Sequence, residues 1–184
     1  MNEVLEAAIR WSRRMDWPVF PTRNKKPLTG GQSWKTYASR NPDKIRAMDW
    51  EEADGYGVAL PDDWLVIDLD AVDSPHGPNL EPAMKTLKKE MPGAAECIHN
   101  GTALCVLTPR GGMHAYFRHD KSFDLSQTKY PNVDLRVGGK GYVVGPESPG
   151  YHVIIWGEAD VRHALSRLDA PVAQCLAPFL TARR

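Results

Sequence analysis

Val66-Ile67-Asp68-Leu69-Asp70 is the stretch on which the reading of this chain turns. Successive side chains of a strand point to opposite faces, so Asp68 and Asp70 share one face and Ile67 and Leu69 the other. One side of such a strand suits a core, and the other holds two carboxylates together. Like charges so placed repel unless a cation neutralises them, and carboxylate oxygens are hard donors suited to Mg²⁺ or Mn²⁺. A strand end running into a polar loop, with Asp73 soon after, is the competing reading of the same residues.

Two further stretches repeat the alternation. In Thr108-Pro109-Arg110-Gly111-Gly112-Met113-His114-Ala115-Tyr116-Phe117, His114 and Tyr116 fall on one face and Met113, Ala115 and Phe117 on the other. The glycines, Gly112 included, let backbone approach a bulky ligand, and Arg110 can reach a phosphate. His114 can donate to a triphosphate oxygen; a structural histidine on a strand is the plainer alternative. In Val133-Asp134-Leu135-Arg136-Val137-Gly138-Gly139-Lys140-Gly141-Tyr142, Asp134 and Arg136 share a face and three apolar residues take the other. Asp134 is then a third carboxylate, with Arg136 and Lys140 as candidate phosphate contacts. A solvent ion pair between Asp134 and Arg136 is the alternative. Three carboxylates can hold two metal ions about 4 Å apart for in-line phosphoryl transfer.

The charge distribution surrounds this cluster. The 184 residues carry 23 basic and 23 acidic side chains, and this zero balance excludes a uniformly basic nucleic-acid coat but not a local groove. From Arg10 to Arg46 ten Lys/Arg residues face only Asp16 and Asp43, whereas from Ala47 to Met84 ten acidic residues stand without a single Lys or Arg. A basic segment beside an acidic one suits a phosphate surface next to a metal surface; alternating solvated faces explain it equally. The length suits one domain, and 42% hydrophobic with 25% charged residues excludes a disordered chain. Three cysteines do not make a disulfide framework, and neither a signal-type apolar run nor a membrane-length one occurs, so a cytoplasmic protein is expected. Cys97, His99 and Cys105, with His76 as a forced fourth ligand, fit zinc spacing poorly; buried thiols and surface histidines are expected, and no zinc site.

Apolar periodicity predicts a helix from about Glu3 to Met15, ended by Trp17-Pro18, and a short strand at Val19-Phe20. Pro21 to Gly31 reads as a basic loop, and Asn41-Pro42 as the start of a helix to about Trp50. Tyr56 to Leu60 and Leu65 to Leu69 are expected to pair around Pro61-Asp62-Asp63. A helix marked by Leu80, Met84, Leu87 and Met91 is expected to stop at Pro92-Gly93. Ala103 to Leu107 pairs with Met113 to Phe117, and Val133 to Val137 with Tyr142 to Val144 around Gly138-Gly139. Val153 to Trp156 is a last strand, and Ala164 to Leu180 a closing helix. The result is a mixed α/β (α+β) fold with a mostly antiparallel sheet.

In chain order these motifs resemble the primase-polymerase domain of the archaeo-eukaryotic primase superfamily, in the form carried by plasmids and phages. The paired metal carboxylates of that family match Asp68 and Asp70, its strand histidine matches His114, and its hydrophobic-Asp motif matches Asp134, followed by Arg136. Lys25-Lys26-Pro27-Leu28 with Gly30-Gly31 and Trp34 resembles its N-terminal basic-Pro turn. The resemblance spans roughly Val19 to Val144. It implies a catalytic core related to the RNA-recognition-motif fold with an N-terminal α/β module, and template-directed synthesis from nucleoside triphosphates with Mg²⁺ or Mn²⁺. It also implies a single-stranded DNA template and primer as partners and frequent fusion to a helicase. Residues 1–184 then form one domain at the N-terminus of a longer replication protein.

Arg23, Lys25, Lys26, Lys35 and Arg40 are candidates to track a template backbone, with Trp34 or Tyr37 stacking on a base; equally, Trp34 is a candidate core residue. A metal-dependent nuclease uses the same residue types, but the cation-rich glycine loops favour a triphosphate pocket. A non-catalytic nucleic-acid-binding module is the other rival, and three carboxylates on its sheet face would repel phosphate.

Overall fold

The computed structural model describes residues 2–118 and 129–154. In chain order the elements are α1 (Glu3–Met15), β1 (Val19–Arg23), β2 (Lys26–Pro27), α2 (Trp34–Tyr37), α3 (Pro42–Arg46), β3 (Gly55–Ala59) and β4 (Trp64–Leu69). Then follow α4 (Glu81–Glu90), α5 (Pro92–His99), β5 (Leu104–Leu107), β6 (Met113–Arg118), β7 (Lys129–Tyr130), β8 (Val133–Val137), β9 (Tyr142–Val144) and β10 (His152–Ile154). The fold is mixed α/β, as the sequence predicts. Its contacts divide into two units, one of Met1–Pro61 with Gly138–His152 and one built on Asp62–Val137.

The first unit holds a four-stranded antiparallel sheet in the order β2-β1-β3-β9. Helix α1 starts where Asn2 Oδ1 accepts the backbone N–H groups of Val4 and Leu5, and it buries a stripe of Val4, Ala8, Ile9, Trp11 and Met15. The expected basic loop is instead the β1–β2 hairpin: Asn24 and Lys25 take positive φ (48° and 63°), the geometry a two-residue hairpin turn requires. Helix α3 stops four residues short of the expected Trp50. The Trp50 indole donates to the Ile45 carbonyl at 2.7 Å, so the chain turns back instead of continuing.

The second unit holds a six-stranded sheet in the order β10-β5-β6-β4-β8-β7. Helices α4 and α5 lie between β4 and β5 in sequence, and β6 fills the place between those strands, a split β-α-β arrangement of the kind the RNA-recognition-motif comparison anticipates. Alternation sends Leu65, Ile67 and Leu69 of β4, with Met113, Ala115 and Phe117 of β6 and Val133, Leu135 and Val137 of β8, into one core. Ala83, Leu87, Met91, Ala94 and Ile98 of the two helices complete it. Burying each large apolar side chain stabilises the unit by roughly 1.5–3 kcal/mol. The opposite sheet face therefore carries the polar members of β4, β6 and β8.

Two expected hairpins do not form. Tyr56 to Leu60 and Leu65 to Leu69 fall in different sheets, and so do Val133 to Val137 and Tyr142 to Val144. Pro61-Asp62 and Val137-Gly138 are two of the points where the chain passes from one unit to the other. The expected stop at Pro92-Gly93 is equally a start, because proline at the first position opens α5. The β5–β6 hairpin forms as expected. Trp156 and the expected closing helix lie outside the described residues. Among the described residues no helix is long and apolar enough to cross a membrane.

Candidate active site

Strand β4 lies between β6 and β8, and its register places Asp68 directly opposite His114 on one side and Asp134 on the other. Lys129 of β7 stands opposite Asp134, and Val106 of β5 opposite His114. Lys129, Asp134, Asp68, His114 and Val106 thus form one row across five strands. The next row on that face holds Arg136, Val66, Tyr116 and Leu104. Alternation dictates the face, and antiparallel pairing dictates the row.

Arg136 reaches back toward the first row. Its Nη2 lies 3.2 Å from Asp134 Oδ2 and 3.5 Å from Asp68 Oδ2, so one nitrogen sits against both carboxylates. Lys129 Nζ lies 3.0 Å from the same Asp134 oxygen. His114 Nε2 is 3.6 Å from Asp68 Oδ1, too long for a direct hydrogen bond. His114 is buried, its ring 6.3 Å from that of Tyr116.

Asp70 stands at the exposed end of the strand, its backbone N–H donating to the Asn132 carbonyl at 2.9 Å. Partial burial, then the neighbouring Asp68 and Asp134 carboxylates, push its carboxyl above the ordinary aspartate range; Arg110 and Arg136 oppose the shift without cancelling it. Asp68, Asp134 and both arginines are therefore in electrostatic reach of Asp70. Arg110 comes to this end on the turn between β5 and β6, closed by Thr108 N–H to Gly112 O and Gly111 N–H to Thr108 O, both 2.9 Å. Gly111 has φ +76°, and a Cβ there would lie 2.3 Å from the Pro78 side chain. A Cβ on Gly112 would lie 2.6 Å from the Leu69 carbonyl. Close packing of the turn on the strand that carries Asp68 and Asp70 accounts for both glycines within the chain itself.

The remaining sequence candidates belong to the first unit. Arg23 pairs with Glu52 at 2.5 Å, and Arg40 donates to the Asp16 carbonyl at 2.7 Å. Lys25 and Lys26 are exposed at the β1–β2 hairpin. Trp34 is half-buried, its ring 6.1 Å from that of Phe20 and 5.3 Å from that of Tyr142, with Lys35 Nζ 5.5 Å from its centroid. Lys140 is exposed on the segment before β9.

Sequence reasoning missed Lys129 and Tyr142. For Lys129 a signal existed: Pro131-Asn132 makes a two-residue turn with Asn132 at φ 61°, and counting back across it sets Lys129 opposite Asp134. The sequence marks Tyr142 only as the edge of a strand, whereas its hydroxyl donates to the Lys25 carbonyl at 3.1 Å. Of the zinc candidates, Cys97 is buried, Cys105 is free with its thiol pushed by burial to about 12, and His76 and His99 are exposed.

Among the described residues no three His, Cys, Asp or Glu side chains converge as a finished metal cluster. The donor set nevertheless fits a hard divalent ion. Two carboxylates already share one cationic nitrogen, and a third is in electrostatic range. A sheet face with carboxylates for a cation and arginines for phosphate can serve phosphoryl or nucleotidyl transfer. A family model described as bifunctional DNA primase/polymerase, N-terminal, matches residues 8–171, and the chain belongs to that family. Its general activity is accordingly nucleotidyl transfer in primer synthesis and extension, with single-stranded DNA and nucleoside triphosphates as the family's ligands and divalent metal ions as its usual cofactors. A comparison with curated proteins gives no match.

Proposed function

We propose that this chain adds nucleotides from nucleoside triphosphates to a 3′-OH on a DNA template, with Asp68, Asp70 and Asp134 holding Mg²⁺ or Mn²⁺. The observation that carries the reading is the cross-strand row of His114, Asp68 and Asp134, with Arg136 against both carboxylates. Divalent ions, when bound, supply Lewis acidity toward the attacking 3′ oxygen and the leaving pyrophosphate. The residues do the rest. Asp68 and Asp134 are fixed on neighbouring strands of a packed sheet, so their separation is set before any ligand arrives. His114, on β6 beside Asp68, is proposed to hydrogen-bond a phosphate oxygen. Arg110 and Arg136 bring the positive charge that a triphosphate needs, and Gly112 holds the turn that carries Arg110. Lys140 is proposed as a further phosphate contact.

For the DNA strand, the engaged state of Arg23 and Arg40 shifts weight to Lys25, Lys26 and Lys35 beside Trp34. A partly exposed aromatic ring with a lysine over it suits a single strand, whose bases stack while its backbone meets the cations.

The test is a gel assay with four deoxynucleotides and Mg²⁺ or Mn²⁺, on a primed template and on an unprimed single strand. Metal-dependent extension by the wild type, lost in a folded Asp68→Ala, Asp70→Ala variant, is the expected result, and products on the unprimed strand add primer synthesis. Shortened template without extension would replace this reading by a nuclease.

A further inference from the structure

Arg136 occupies a position that its role as a phosphate contact does not require. It stands one row away from the carboxylates, opposite Val66, yet its guanidinium turns back along the sheet face. One nitrogen, Nη2, approaches Oδ2 of Asp68 and Oδ2 of Asp134 together. That is where a cation bridging the two carboxylates belongs. Among the described residues its Nε and Nη1 donate to no acceptor, so this edge of the guanidinium is open to phosphate oxygens. Arg136 is about one third exposed, whereas Asp68 and Asp134 are 18% and 14% exposed.

We infer that Arg136 is a tethered counter-cation that links nucleotide binding to metal binding. Without nucleotide, its guanidinium neutralises Asp68 and Asp134 and competes with a divalent ion for them. A triphosphate carries several anionic oxygens and takes the guanidinium in a bidentate grip. The two carboxylates then pass to the metal, and the ion binds tightly only when its substrate is present. Linkage makes the effect reciprocal, so the metal also tightens the triphosphate. Arg136 acts here as a positioning residue, and the inference rests on the metal and nucleotide roles proposed above.

Lys129 supplies the control. Lys129 also touches Asp134, but its side chain is 79% exposed, and an ion pair in open water contributes little.

The experiment measures Mn²⁺ binding by the paramagnetic signal of the unbound ion, with and without a non-hydrolysable nucleoside triphosphate. Arg136→Gln should tighten nucleotide-free Mn²⁺ binding at least about fivefold and shrink the gain that the triphosphate brings. Arg136→Lys, with a smaller head and no fork, should fall between. Lys129→Ala should stay within about twofold of the wild type at physiological salt, where the charges of exposed groups are screened. Unchanged or weaker Mn²⁺ binding in Arg136→Gln overturns the inference, and so does an equal gain in Lys129→Ala, which would mean a diffuse field. Mn²⁺ binding that is lost in Asp68→Asn but indifferent to Arg136 refutes this inference alone. No Mn²⁺ binding by the wild type under either condition refutes the metal site and this inference with it.

Discussion

Asp68→Asn separates the chemistry of the site from the stability of the fold. The substitution keeps the shape of the side chain and removes its charge. What it removes can be weighed from the sheet. Arg136 at 3.5 Å attracts Asp68 by about 5 kcal/mol at an effective dielectric of about 20. Asp134, directly opposite on β8 with a cross-strand spacing of about 5 Å, repels it by about 3 kcal/mol. Asp70, two residues along the same face at about 7 Å, adds roughly 2 kcal/mol of repulsion. These three contributions nearly cancel, and with a neutral His114 beside Asp68 adding no net charge, metal-free Asp68→Asn should melt within about 2–4 °C of the wild type. Extension should nevertheless fall at least about a thousandfold, or about 4 kcal/mol of transition-state stabilisation, because an amide is a poor ligand for a divalent ion. The assay pairs a thermal melt in chelator with primer extension at saturating Mg²⁺. A variant melting about 10 °C lower would refute the cancellation and make Asp68 a structural ion-pair member. One that extends primers at the wild-type rate would remove Asp68 from the metal site.

Two further outcomes are expected. Glu147 is pushed upward by partial burial, but hydrogen bonds from Arg10 and the Trp11 indole outweigh this and hold its carboxyl below the ordinary glutamate range. A depressed carboxylate stabilises the fold above its unfolded pKa, near 4.5, and that contribution is lost as pH falls through the folded value. Glu147→Gln should therefore cost about 1 kcal/mol or less at neutral pH, given its exposure, and nothing in strong acid, as urea melts across pH would read. Gly112→Ala sets a Cβ 2.6 Å from the Leu69 carbonyl and 3.0 Å from Thr108 Oγ1. It should destabilise the protein by about 1–3 kcal/mol and, by moving the turn that carries Arg110, raise the nucleotide KM before it lowers kcat; thermal melts and nucleotide titrations check the two effects.

The amphipathic stripe of α1, the faces of β4, β6 and β8, and the β5–β6 turn were all legible in the sequence. Each depends on local periodicity or on residues that set a single turn. That Asp68, Asp134 and His114 point away from the core follows from the same alternation, because the apolar partners of each leave no other choice. That the three stand in one row does not follow. It depends on β4 pairing between β6 and β8 in one register, and pairing partners far apart in sequence leave no local trace. For the same reason the segments around Pro61 and Gly138 read as hairpins, although each hands the chain from one sheet to another. Pro92 misled in a different way, since proline ends one helix by the same loss of a donor that lets it begin the next. Residue types and faces were therefore written in the chain. Whether Arg136 lies against two carboxylates or one was decided only by the packing that brought β8 beside β4.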